Sequence, residues 1–247
     1  MMYDRLMTKA TKTIGASLTK PLFNLKYQPN RVDILAEDWG LLIVLDACRY
    51  DMFEELNTID GSLSKRISKA PNTKLWLQSN FANRDLSGIT YITANPMYRK
   101  AKGSYDFTKI VDMWTHKWRN DTVWPTDMVD EIGKQFNQRI ICHLIQPHLP
   151  FISDYAKSHG LNSPNIWGEL RDGNVSFEEV KQAYYANLQL ALDALEPTIY
   201  HYDNVVITSD HGNCYGRKFL WGELYGHPPL HVPELVTIPW LEVDHEG

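Results

Sequence analysis

The chain has 247 residues, of which 43% are hydrophobic and 22% charged, with a net charge of −5. That is the profile of an ordinary globular protein large enough to bury a full core, and its acidic balance argues against a general nucleic-acid binder. No run of 18 or more apolar residues exists to form a membrane-spanning helix, and the N-terminus lacks the apolar core and cleavage site of a signal peptide.

The first stretch, "MMYDRLMTKATKTIGASLTKPLFNLK", differs from the rest. It carries Arg5, Lys9, Lys12, Lys20 and Lys26 against the single acid Asp4. Leu6, Ala10, Ile14 and Leu18 recur at helical spacing, and Pro21 is expected to end the helix. Residues 1–27 are therefore read as a basic amphipathic segment ahead of a single domain over 28–247. Such a segment suits peripheral contact with an anionic membrane surface. Packing on the domain, with the lysines in water, is the reading preferred at this point.

Five short apolar runs follow as buried strands: "LLIVLD" (41–46), "GITYITAN" (88–95), "RIICHLI" (139–145), "NVVITSD" (204–210) and "LVTIPWL" (235–241). Helical segments separate most of them. The clearest is "SFEEVKQAYYANLQLALDALE", where Val180, Tyr184, Leu188, Ala191 and Leu195 form one stripe. Ser176 with Glu179 makes a capping box at its start. Alternating strands and helices predict an α/β fold, a mostly parallel sheet with helices on both faces. The stretch 157–175 is rich in Gly, Asn, Ser and Pro and is read as a long excursion or lid. Cys48, Cys142 and Cys214 are odd in number and widely spaced, which suggests free thiols in a reducing, cytoplasmic compartment. The many tryptophans and tyrosines are read as core.

Chemistry gathers at the strand ends. The first run ends in Asp46, the third leads to His143 and His148 in "HLIQPHLPF", and the fourth ends in Asp210-His211. The segment before the last carries His227 and His231. In a parallel sheet these ends share one edge, where ligands bind. Asp46, Asp210 and His211 form a ligand set suited to one Mn²⁺, Zn²⁺ or Mg²⁺ ion. A purely structural role is open for the strand residue His143.

In this order the motifs resemble the alkaline phosphatase superfamily, and within it the sulfatase-like branch. The elements are a strand-ending Asp, a hydroxyl segment, H-x-x-x-P-H-x-P-F, S-D-H-G, and G-H ahead of a terminal V-P strand. The resemblance spans about residues 38 to 241, and the "DACRYD" form of the first motif also occurs in sulfatase-like proteins. It implies an alkaline-phosphatase-like domain with a metal held by Asp46, Asp210 and His211. It also implies a nucleophilic Thr, Ser or formylglycine-forming Cys that bridges metal and substrate.

The candidate nucleophile is Thr73 in "SKAPNTKLW", where a loop entering a helix offers N–H groups to an anion and Lys74 adds charge. Capping of that helix is the structural alternative for Thr73. "CRYDM" around Cys48 departs from the C/S-x-P-S-R pattern, so no formylglycine sulfatase is expected. Arg49 either reaches the anion or pairs with Asp51. His148 and His227 match positions that contact phosphate or sulfate oxygens. The additional Asp-x-x-x-His of two-metal members is absent, since His148 and Ile152 stand where it would fall, so one metal is expected.

The implied activity is metal-dependent transfer or hydrolysis of a phosphate mono- or diester through a threonine nucleophile. The substrate is a small molecule or a glycan- or lipid-linked ester, and no nucleic acid is expected. A sulfatase, a membrane-associated phosphoglycerol or phosphoethanolamine transferase, and a non-catalytic metal- or anion-binding module are the alternatives.

Overall fold

Seven strands form the central sheet of the computed structural model, which describes residues 2–27, 31–100, 105–135, 139–220 and 222–244, with side chains from residue 14 onward. The strands are β1 (Leu41–Asp46), β2 (Gly61–Ile67), β3 (Ile89–Thr93), β4 (Lys109–Asp112), β5 (Arg139–Pro147), β6 (Val205–Ser209) and, at the end of the chain, Thr237–Val243. A separate hairpin pairs β7 (Cys214–Phe219) with β8 (Gly222–Gly226), which makes Thr237–Val243 β9. The order across the sheet is β2-β9-β6-β1-β5-β3-β4. The pairs β1–β5, β1–β6, β3–β5 and β3–β4 are parallel, while β9 runs antiparallel to both β2 and β6. The fold is thus the mostly parallel α/β sheet that the alternation of elements predicts.

Every residue of β1 is buried, as a continuous apolar run in a sheet covered on both faces should be. Successive side chains point to opposite faces, and the core divides accordingly. Leu41, Ile43 and Leu45 join Val180, Tyr184 and Leu188 of the Phe177–Ile199 helix on one face. Leu42 and Val44 join Trp39, Trp76 and Phe81 on the other. The Phe177–Ile199 helix carries the expected capping box between Ser176 and Glu179.

Three expectations are corrected. Pro21 does not end the first helix, α1, which runs from Met2 to Tyr27; buried Phe23, in a cluster with Leu230, Val232 and Leu235, rewards its continuation. The stripe that includes Ile14 and Leu18 faces outward, and the helix seats instead through Gly15, Thr19 and Phe23. The side chains of Arg5, Leu6, Lys9, Ala10 and Lys12 lie outside the described residues. The 157–175 stretch is also more ordered than a loop. It holds the helix Ile166–Arg171, and the Trp167 ring packs against Tyr215 at 5.2 Å between centroids.

Candidate active site

Asp46 is the last residue of β1, at the edge where the parallel strands end. The chain then turns sharply through Ala47, whose φ of 60° lies in the left-handed region that alanine seldom enters. Two long-range contacts hold that turn: the Ala47 N–H donates to Asp210 Oδ1 at 3.1 Å, and the Tyr184 hydroxyl donates to the Ala47 carbonyl at 3.1 Å. Asp210 follows β6, the neighbour of β1, so the parallel register carries both acids to one place. The segment with His227 precedes β9. Because β9 is antiparallel to β6, its beginning, rather than its end, reaches this same edge.

The carboxylates are each half satisfied. Asp46 Oδ2 accepts a 2.5 Å hydrogen bond from Asn95 Nδ2, and Asp210 Oδ1 accepts from the N–H groups of Ala47 and His211. Asp46 Oδ1 and Asp210 Oδ2, both buried, have no hydrogen-bond partner among the described residues. Between them sits His211 Nε2, 3.5 Å from Asp46 Oδ1 and 3.4 Å from Asp210 Oδ2. His211 Nδ1 donates to the Gly212 carbonyl at 2.7 Å, which fixes the ring with Nε2 toward the two carboxylates, the orientation common among metal-bound histidines. One ligand atom from each of the three residues falls within 4.8 Å of the others. The donor set therefore fits a divalent cation: two buried oxygens without partners and one oriented imidazole.

Electrostatics point the same way. Burial first, and then the adjacent Asp210 carboxylate, push Asp46 up to about 7, against the pull of His211 and His143. Burial also raises Asp210, but His211, His143 and the Ala47 N–H outweigh it and hold that carboxyl below the usual range. Two buried like charges resist joint ionisation, and a cation between them removes the conflict.

Thr73 opens helix α3 (Thr73–Phe81), the next helix but one after α1, since α2 (Tyr50–Leu56) follows β1. The cap of α3 is Asn72, whose side chain accepts from the Leu75 N–H. Thr73 is therefore not the cap, and its buried hydroxyl lies 3.2 Å from His211 Nε2. Gly212 is required by close approach: a Cβ there would stand 2.1 Å from the Glu234 carbonyl oxygen. Three imidazoles form a row, with His211 and His227 centroids 4.8 Å apart and those of His227 and His148 4.9 Å apart. Burial lowers the His148 pKa, and its Nδ1 donates to the Leu149 carbonyl, so the neutral ring carries its lone pair on Nε2.

Other sequence candidates fall elsewhere. Arg49 is engaged in a two-bond fork with Asp51, at 2.8 and 2.5 Å, the pairing alternative of the sequence reading. Lys74 is exposed and makes no hydrogen bond or ion pair among the described residues. Cys48 is fully buried, and burial pushes its thiol far up, as expected of a packed small residue. The His231 ring lies 4.6 Å from the Phe23 ring and tilted 43° to it, beneath α1. His143 Nε2 lies 3.7 Å from Asp210 Oδ2, and its Nδ1 shares a hydrogen bond with the Tyr91 hydroxyl at 2.8 Å. Asn95 and Tyr91 escaped the sequence reading. Asn95 left one signal, a polar residue closing the apolar run 88–95, two residues past the end of β3.

Neither a family model nor a curated protein sequence matches the chain. Solved structures do. The soluble domain of lipooligosaccharide phosphoethanolamine transferase A from Neisseria meningitidis matches at a TM-score of 0.55 and 14% identity, over 83% of this chain and 76% of that one. The zinc complex of the C-terminal periplasmic domain of EptC from Escherichia coli matches at 0.51 and 15%, over 87% and 75%. The periplasmic domain of the phosphoethanolamine transferase EptC from Campylobacter jejuni matches at 0.52 and 13%, over 85% and 81%. This chain spans 49% of the integral membrane EptA of N. meningitidis.

These structures overturn the cytoplasmic placement expected from the cysteines, because the EptC domains that share the fold are periplasmic. All three thiols here are free and buried, so their number carries no information about compartment. With its mostly parallel sheet, the chain has an alkaline-phosphatase-like fold, the fold it shares with these phosphoethanolamine transferase domains.

Proposed function

We propose that the protein is a metal-dependent phosphoester transferase that uses Thr73 as its nucleophile and works on a lipid- or glycan-linked phosphate outside the cytoplasm. The observation that carries this reading is the Thr73 hydroxyl 3.2 Å from an imidazole that itself lies between two buried carboxylate oxygens without partners. The likeness to phosphoethanolamine transferase domains supports transfer over simple hydrolysis.

Asp46, Asp210, His211 and Thr73 would hold one divalent metal. When bound, such a metal supplies Lewis-acid stabilisation of developing charge and makes a threonine hydroxyl easier to deprotonate. Thr73 Oγ1 forms a bond to phosphorus as the bond from phosphorus to the departing alkoxide breaks. Its position at the first turn of α3 adds N–H groups and helix dipole to the side where the phosphate arrives. His227 holds a non-bridging oxygen. His148 Nε2, a lone pair on a ring kept neutral by burial, takes the proton that the threonine gives up and returns it to the departing alkoxide, then takes the acceptor alcohol's proton and returns it to the threonine oxygen as that oxygen leaves phosphorus. The phosphoryl group then passes from threonine to the acceptor hydroxyl, and Thr73 is regenerated. Asn95 and the Ala47 N–H set the carboxylate orientation throughout.

The experiment is to incubate the protein with phosphatidylethanolamine in detergent, with added Zn²⁺, Mn²⁺ or Mg²⁺. Release of diacylglycerol together with a head-group adduct on the Thr73 peptide supports the reading. Diacylglycerol release with the adduct on another residue removes Thr73 from it, and neither product with any metal removes the transferase.

A further inference from the structure

Helix α1 has two unlike faces. The inner face grips the body of the protein. Gly15 permits close approach, since a Cβ there would stand 2.8 Å from both Leu230 Cδ2 and Phe219 Cε1. Thr19 Oγ1 accepts the His231 N–H at 3.2 Å, and the Phe23 ring, 2% exposed, lies 4.6 Å from the His231 ring. The outer face carries Ile14, Leu18, Leu22 and Leu25 at i, i+4, i+8 and i+11. Their exposures are 44%, 52%, 66% and 85%, and they are four of the nine exposed large apolar residues among those described. A continuous apolar ridge pointed at water is costly unless something covers it.

Charge says what covers it. Residues 1–27 hold five basic side chains and one acid, a net of +4 in a chain whose total is −5, so the remaining residues hold −9. Lys20 and Lys26 are exposed on the same length of helix as the ridge. An apolar stripe with basic residues beside it fits a helix lying in the plane of an anionic lipid surface, with leucines among the acyl chains and lysine ends at the headgroups. A second copy of the chain fits less well, because pairing the ridges would bring two +4 segments together. No helix among the described residues is long and apolar enough to cross a membrane, so the mode is lying on the surface, not spanning it.

We infer that the Ile14–Leu18–Leu22–Leu25 ridge docks α1 in the plane of an anionic lipid surface. Because the inner face of α1 grips Leu230 and His231, just beyond His227, docking also holds the His227 side of the site beside that surface; this consequence rests on the proposed function, while the docking itself does not.

The test is co-sedimentation of the full chain with phosphatidylcholine vesicles, with and without phosphatidylglycerol, alongside sizing and hydrolysis of a soluble diester. The wild type is expected to partition onto the anionic vesicles, more weakly at high salt. The Leu18→Glu/Leu22→Glu and Lys20→Glu/Lys26→Glu variants should each lose about tenfold or more of that partitioning. All these side chains are exposed, so circular dichroism and diester hydrolysis should match the wild type. The docking inference is overturned if the wild type ignores anionic vesicles, binds both kinds equally, or keeps its binding in the leucine variant. A wild-type dimer that the leucine variant splits, without vesicle binding, assigns the ridge to a second copy. Vesicle binding without diester hydrolysis would count against the proposed function and leave the docking intact.

Discussion

Thr73 Oγ1 lies 3.2 Å from His211 Nε2, across 138 positions of sequence. The contact exists because Asn72 caps α3 and leaves the threonine hydroxyl free to face the strand ends. If that hydroxyl is the nucleophile, Thr73→Ala should lower diester turnover by about 10³-fold or more. Thr73→Ser should retain part of it, and thermal unfolding should change little in either variant. Steady-state kinetics on the three proteins check this.

Asp46 and Asp210 share a buried space that favours one charge over two. Asp46→Asn should abolish the rise in melting temperature that added metal gives the wild type. In chelator, the same variant should melt at or above the metal-free wild type, because the like-charge conflict is gone. A variant that responds to metal as the wild type does would remove Asp46 from the ligand set. Asn95, which donates to Asp46 at 2.5 Å, orients that ligand, and Asn95→Ala should weaken metal binding about 10–100-fold by titration.

Gly212→Ala probes the close approach of two segments. The added Cβ would meet the Glu234 carbonyl oxygen at 2.1 Å, and that oxygen is backbone that cannot swing aside. The variant should lose about 1–3 kcal/mol of stability, read from urea midpoints.

How much of this was legible in the sequence follows from burial. Strands β1 and β6 were readable because both faces are covered, so their residues form unbroken apolar runs. Strand β2, "GSLSKRI", is a half-exposed edge strand with mostly polar residues, and nothing in its composition marked it. The separate hairpin β7–β8 has the same character. Asp46 and Asp210-His211 stood out because acids rarely end buried runs. Asn95 ends one as well, but an amide carries less chemical implication than an acid. The outward stripe of α1 was visible as periodicity, yet periodicity alone does not say which face the body covers. Gly15 and Phe23 decide that, through close approach and through burial.

Beneath α1, burial first and then the charges of Lys20 and Arg31 push His231 down to about 4. A histidine depressed in the folded state contributes stability that is present above its unfolded pKa and lost as pH falls. The window here runs from the ordinary value of 6.5 down through about 4. Across it the wild type should lose stability more steeply than His231→Asn, which has no ring to protonate. Parallel urea curves for the two proteins between these limits would refute the assignment.

The most direct test of the central claim is turnover of bis(p-nitrophenyl) phosphate by the wild type and Thr73→Ala, with metal content measured on the same samples. About one metal per chain is expected in a wild type that cleaves the ester, and substantial metal in a Thr73→Ala protein that does not. A Thr73→Ala protein that cleaves as fast as the wild type, or a wild type that cleaves with no metal bound, would contradict that claim.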